Sequence, residues 1–208
     1  MDPRWQHPFT CLVAGPSGCG KTRWVLDFIT HLTEMMEPPA FRIIYSYGEW
    51  QPIYRTLPTH VELQEGLGDI PEYAEKPMLL VIDDQMDKVN KNVMRLFTKG
   101  SHHRNISVIY IVQNLFGKNK DHRTISLNAH YLVVFKNPRD KSQIIHLAKQ
   151  ICPGENNYVK EAFALATRKP HGYLLVDLKQ TTPDALRFRG RIFPEEEKEV
   201  YVRRNVHL

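Results

Sequence analysis

Gly15-Pro16-Ser17-Gly18-Cys19-Gly20-Lys21-Thr22 sets two glycines, a lysine and a hydroxyl at the spacing of a complete Walker A loop, a phosphate cradle. Gly15 and Gly20 permit the tight backbone path that brings N–H groups up to phosphate oxygens. Lys21 offers a point charge to β- and γ-phosphates, and Thr22 a hydroxyl ligand to Mg²⁺. Such a loop works only between a buried strand and a helix whose positive end faces the anion. The flanking sequence predicts both. Phe9–Ala14 reads as a short buried strand, and Arg23–Met36 as a helix with Trp24, Phe28 and Leu32 on one face.

A second constellation lies about sixty residues downstream, in Met78-Leu-Leu-Val-Ile-Asp83-Asp84. The apolar run buries a strand and the acids emerge at its end, the form of a Walker B strand. Asp83 is expected to reach Mg²⁺, and Asp84 to polarise an attacking water. Gln113 follows the apolar strand Ile106–Val112. If that strand lies between the other two, its amide can sense the γ-phosphate or orient water. Ring-forming ATPases also borrow an arginine from a neighbouring subunit. Arg104, in the His-His-Arg-Asn turn before Ile106, is the leading candidate, with Arg123 and Arg139 as rivals.

The elements that must position these residues follow from the rest of the chain. Strands are expected at 41–47, 77–83, 106–112 and 131–135, and helices at 88–98, 141–150 and 158–167. Residues 48–69 read as loop, 100–105 as a polar turn, and the basic stretch after Asn114 as a loop. Tyr173–Leu178 and Leu186–Phe193 read as a closing β-hairpin around Pro183-Asp184. The alternation predicts an α/β fold, a three-layer P-loop NTPase with a mainly parallel, inserted-strand sheet of the RecA/FtsK type. Ligands of such sheets bind at the carboxyl ends of the strands, where the candidate residues fall.

The 208 residues are expected to form one domain, 1–208, and 42% hydrophobic content suffices for its core. No run is long and apolar enough to predict a membrane helix, and nothing before Phe9 resembles a secretory signal. Cys11, Cys19 and Cys152 are odd in number, and one lies in the phosphate loop, so a reducing intracellular compartment is expected. His102-His103 lacks the partners of a zinc site. The net charge of +5 conceals an asymmetry. Residues 34–84 carry ten acids against three bases, and residues 85–150 carry twelve Lys or Arg against three Asp. The basic block fits either a solvated face or a phosphate-backbone contact. Lys88, Lys91, Arg95 and Lys99 fall on the helix expected there, and Lys118, Asn119, Lys120 and Arg123 in the loop after Gln113.

Taken in order, the Gly15–Thr22 loop, Tyr47-Gly-Glu-Trp-Gln51, Leu-Leu-Val-Ile-Asp83-Asp84 and Arg104-Asn-Ile-Ser-Val-Ile-Tyr-Ile-Val-Gln113-Asn114 resemble the genome-packaging ATPases of the FtsK–HerA superfamily. The pattern is most similar to those of Polinton elements, adintovirus-like viruses and virophages, and more distantly to the poxvirus packaging ATPase. The resemblance spans about Phe9 to Phe193. It implies a homo-oligomeric ring that uses ATP and Mg²⁺ to move double-stranded DNA into a capsid, with a capsid or portal protein as partner. It implies work in the host cytoplasm or nucleus, or in the virion. Lys21 and Thr22 would bind phosphate and Mg²⁺, Asp83 and Asp84 would be the acidic pair, Gln113 the sensor and Arg104 the trans-acting finger. One departure is Asp84, where many members carry Glu.

Other P-loop activities fit less well. A nucleoside or nucleotide kinase shares the loop but not the paired acids followed by a strand and Gln113. A GTPase would need an Asn-Lys-x-Asp pattern, and Asn119-Lys-Asp-His has the wrong spacing. A protein that binds ATP without turnover would not need Asp83, Asp84 and Gln113 together. A replication helicase or helicase loader stays open as an alternative.

Overall fold

The computed structural model describes residues 4–83, 91–117 and 120–203. Chain order is β1 (Trp5–Gln6), β2 (Thr10–Ala14), α1 (Lys21–Thr30), α2 (Leu32–Met35), β3 (Met36–Glu37) and β4 (Arg42–Tyr47). A 3₁₀ helix (Pro52–Thr56), β5 (Val61–Glu65) and β6 (Met78–Asp83) follow. Then come α3 (Lys91–Arg95), a π-helical turn (Leu96–Gly100), α4 (Ser101–Arg104), β7 (Ile106–Val112), α5 (Lys120–Leu127) and β8 (Tyr131–Phe135). The chain closes with α6 (Ser142–Ile151), α7 (Asn156–Ala166), β9 (Tyr173–Asp177), a 3₁₀ turn (Asp184–Leu186), β10 (Phe188–Gly190) and β11 (Glu199–Tyr201).

The large sheet runs β11-β10-β9-β8-β2-β7-β6-β4-β5. Strands from β8 to β5 pair in parallel, and β9, β10 and β11 extend the sheet antiparallel beyond β8. β7 therefore lies between β2 and β6, the inserted-strand order expected from the sequence. Every residue of β2, β6, β7 and β8 is buried. Parallel strands covered on both faces read as continuous apolar runs, which is why these four were legible.

Alternate residues feed two cores. Cys11, Val13, Tyr45, Leu79, Val81, Ile109 and Ile111 pack with Trp24, Phe28 and Met35 of α1 and α2. Leu12, Ala14, Leu80, Ile82, Val108 and Tyr110 pack with Val93, Ile125, Leu147 and Val159 on the other face. The strand period of two thus decides the face of each site residue. Asp83 has the parity of Val81, and Gln113 that of Ile111, so both belong to the α1 face.

Several local expectations need correction. Residues 48–69 contain β5, which buries only Val61 and is joined to β4 by Arg42–Glu62. The basic stretch after Asn114 is not all loop: Lys120–Leu127 is α5, anchored by buried His122, Ile125 and Ser126. The turn expected at 100–105 is helical through Arg104. The helix expected over 23–36 ends at Thr30, and His31 separates it from α2. Near the end of the chain, Glu195 bonds His31, and Glu199–Tyr201 is a sheet strand.

Candidate functional site

At the end of β2 the Gly15 N–H donates to Val112 O at 3.2 Å, fixing the loop against β7. A Cβ at Gly15 would stand 2.7 Å from both Cys19 Sγ and Phe135 Cβ, so no larger residue fits. Gly20 has φ 109, left-handed backbone that favours glycine, and caps α1. No side-chain cap bonds the amino end of α1, the end of a helix whose first N–H groups have no partner within the helix. Lys21 Nζ donates to Gly15 O at 2.6 Å and Pro16 O at 3.0 Å, so its charge sits over the loop.

Asp83 is 2% exposed, and three hydroxyls converge on its Oδ2. Tyr45 donates at 2.7 Å, Tyr54 at 3.0 Å and Thr22 at 3.3 Å. Burial, and then the Asp83 charge, drive the Tyr45 phenol far above its ordinary value, so it stays a donor. These bonds give the buried carboxyl group the partners it needs inside the fold. They also fix its rotamer beside Thr22.

Ser17, Lys21, Thr22, Asp83, Gln113 and Gln51 border one cavity of about 190 Å³. The structure therefore brings Lys21, Thr22, Asp83 and Gln113 together. Gln113 reaches the cavity from the end of β7, and its side chain hydrogen-bonds no described residue. Asp84 lies outside the described residues, as do Lys88, Lys118 and Asn119. Thr22 Oγ and the Asp83 carboxylate are hard oxygen donors, a set that fits Mg²⁺ with water and phosphate completing its shell. Among the described residues there is no group of three or more His, Cys, Asp or Glu that could hold a metal ion.

Pro16, Ser17, Gly18 and Cys19 border a second cavity, about 440 Å³, on the other flank of the loop. Lys136, Pro138 and His171 close it from the loops after β8 and α7. His171 Nδ1 donates to Cys19 O at 3.1 Å, tying the two loops together. Burial raises the Cys19 pKa, with the Lys21 charge opposing, so the thiol stays protonated.

Arg104 is not brought to this group. It ends α4 just before β7, at the amino end of the sheet, while Gln113 leaves the carboxyl end. Arg139, on the loop after β8, is exposed at the carboxyl end. Arg95 is exposed on α3, and Lys120 and Arg123 are exposed on α5. Gln51 also borders the cavity of Lys21 and Asp83, although no motif spacing in the sequence marks it as a site residue. Its position before Pro52, at the end of Tyr47-Gly-Glu-Trp, is the signal that could have singled it out.

Among the described residues no helix is long and apolar enough to cross a membrane. No family model matches the chain, and no curated protein matches it in sequence. Solved structures do. The chain is similar to the genome packaging NTPase B204 of Sulfolobus turreted icosahedral virus 2 in complex with ATP-gammaS, with TM-score 0.52 and 12% identity, covering 93% of this chain and 97% of that one. The same NTPase in complex with sulfate gives TM-score 0.51 and 14% identity over 97% and 98% of the two chains. At this identity the likeness is one of fold: this chain has a mixed α/β, mainly parallel fold of the P-loop NTPase kind.

Proposed function

We propose that this chain is an Mg²⁺-dependent ATPase that drives double-stranded DNA into a capsid, as one subunit of a homo-oligomeric ring of the FtsK–HerA lineage. The observation that carries the reading is the meeting of Lys21, Thr22, Asp83 and Gln113 on one cavity at the carboxyl end of β2, β6 and β7. The fold shared with a packaging NTPase supports it.

On this reading the loop N–H groups and Lys21 bind the β- and γ-phosphates. The nucleoside occupies the larger cavity beside His171. Thr22 and Asp83 hold Mg²⁺, which supplies positive charge to the phosphate oxygens when bound. Asp84 polarises the attacking water and Gln113 orients it. Water bonds to the γ-phosphorus as the bond to the bridging oxygen breaks, and ADP and phosphate leave. An arginine of the neighbouring subunit stabilises the charge that builds up. Arg104 at the end of α4, Arg123 on α5 and Arg139 on the loop after β8 are the candidates for that arginine.

The basic segment supplies the DNA grip. Lys118 and Lys120 follow the sensor strand, Arg123 continues on α5, and Lys88, Lys91, Arg95 and Lys99 precede that strand. Contacts of this kind bind phosphates without reading bases. A capsid or portal protein is the docking partner, and the work is done inside the host cell or in the assembling particle.

The test is ATP hydrolysis by the purified protein with and without double-stranded DNA, beside Lys21→Ala and Asp84→Asn. Hydrolysis stimulated by DNA and abolished by both substitutions is expected. Turnover indifferent to DNA, or dependent on a nucleoside acceptor, rejects the packaging motor in favour of a kinase or another P-loop enzyme. Charge reversal at Lys118 and Lys120 is expected to weaken DNA binding and leave basal hydrolysis intact; unchanged affinity removes those lysines from the grip. Mixing wild type with Arg139→Ala or Arg104→Ala identifies the finger, since loss of the true one poisons its neighbours' sites.

A further inference from the structure

Asp83 pins the segment that follows β4 at two points. Its backbone O accepts the Gly48 N–H at 3.1 Å, and its Oδ2 accepts the Tyr54 hydroxyl at 3.0 Å. Between these anchors Glu49, Trp50 and Pro52 are exposed, and Gln51 and Ile53 are half-buried. Gln51 faces the phosphate cavity, and its side chain hydrogen-bonds no described residue. Its carbonyl accepts the Tyr54 N–H at 3.0 Å, and Pro52 stiffens the backbone that follows. Trp50 faces solvent, 48% exposed, with its ring edge-on to Tyr54 at 5.6 Å and Tyr47 at 5.6 Å.

We propose that Gln51 is a second amide on the terminal phosphate of the bound nucleotide, and that the segment from Gly48 to Tyr54 transmits its engagement to Trp50. The inference rests on the ATP reading of the site. A glutamine has two amide hydrogens to donate, and a phosphate oxygen accepts them as charge-assisted bonds. Gln113 comes from β7 and Gln51 from the chain after β4, so the cavity receives amides from two separate strands. Asp83 lies between those strands in the sheet order. A segment held at both ends by Asp83 moves with that residue as a unit. An ADP-bound site lacks the group that Gln51 engages, so Trp50 distinguishes the two nucleotides.

Trp5 and Trp24 are 1% and 3% exposed, so a collisional quencher reads Trp50 alone. The experiment is iodide quenching of tryptophan fluorescence in the full chain with Mg²⁺ and saturating ATP-gammaS or ADP, beside steady-state hydrolysis. In wild type, ATP-gammaS is expected to change the quenching constant relative to ADP, and Trp50→Phe to remove that difference. Gln51→Ala is expected to bind both nucleotides, give the same constant with each, and hydrolyse ATP roughly 10- to 100-fold more slowly, the loss of one hydrogen bond to a charged group. Gln51→Glu, nearly identical in shape, is expected to keep ADP affinity and weaken ATP-gammaS binding by repelling the phosphate. Wild-type quenching differences and rates in both variants overturn the inference while leaving the ATPase intact. Failure of the wild type to bind nucleotide overturns the ATP reading and this inference with it.

Discussion

Polar groups cluster at both ends of the β2–β7 pair, in opposite relations to space. At the carboxyl end Lys21, Thr22, Asp83, Gln51 and Gln113 converge on a cavity. At the amino end His7, Asn105 and Ser107 close on one another: His7 Nδ1 lies 2.7 Å from Ser107 Oγ, and Nε2 lies 2.8 Å from Asn105 Oδ1. A serine, a histidine and an amide in a row suggest a nucleophile, but Ser107 is 0% exposed. Its oxygen also accepts the Phe9 N–H at 3.1 Å. With Asn105 Oδ1 taking the Nε2 proton, His7 Nδ1 accepts from the Ser107 hydroxyl, and burial keeps that oxygen away from any substrate. The Asn105 amide donates onward to Ala74 O at 2.9 Å. The amino-end groups bond one another and fasten the entering chain to β7. Those at the carboxyl end are held by hydroxyls and backbone while keeping an open side. Chemistry follows unspent bonding capacity at a cavity, not residue type.

The contrast can be broken first at its strong end. Lys21→Ala and Asp83→Asn are expected to lower ATP hydrolysis at least about 10²–10³-fold, the range for removing a preorganised charge from a transition state. Circular dichroism should be unchanged. Retention of rates within a few-fold would mean that the cavity is not the reacting site.

Removing the supports of Asp83 should cost less. Tyr45→Phe and Tyr54→Phe each delete one donor to Oδ2 and are expected to slow hydrolysis roughly tenfold. A mispositioned Asp83 would show as a rise in the Mg²⁺ concentration needed for half-maximal nucleotide binding. An unshifted Mg²⁺ titration would reduce the two phenols to packing.

At the amino end the same kind of deletion should leave rate untouched. Ser107→Ala strands the Phe9 N–H and is expected to cost about 1–3 kcal/mol of stability. In a chain of this size that is a fall in Tm of about 2–4 °C per kcal/mol, read by calorimetry with hydrolysis as control. A loss of kcat in a folded Ser107→Ala would erase the distinction between the two ends.

The smallest effect concerns His31, where α1 has run from the phosphate loop to the amino end of the sheet. Burial opposes its charging, but bonds to Asp27 O and Glu195 outweigh that and raise its pKa above the usual value. A raised folded pKa stabilises most below the unfolded value, about 6.5, and the gain is lost as pH climbs through the folded pKa. The Tm difference between wild type and Glu195→Gln is thus expected to be larger at pH 6 than at pH 8. Equal differences at both would uncouple the pair from stability.

The signals that carried the reading are those in which one residue's chemistry fixes its surroundings. The loop declares itself because glycine, lysine and threonine are needed at those positions, and the structure adds why Gly15 tolerates no Cβ. The strands of the sheet centre declare themselves because burial on both faces leaves only apolar residues. β5 and α5 are silent because each buries few side chains: β5 exists by pairing with β4, and α5 by setting His122 and Ile125 on the sheet.

Sequence alone determined the glycine-rich loop between β2 and α1, the acid at the end of β6, the amide at the end of β7 and the α/β class. These are local patterns, spelled by spacing and by period. Only the tertiary structure decided that Tyr45 and Tyr54 hold Asp83, that Gln51 borders the cavity, and that Arg104 stands at the opposite end from Gln113. Each of these joins residues distant in the chain, and the pairing of strands that brings them together is fixed by packing summed over the whole sheet.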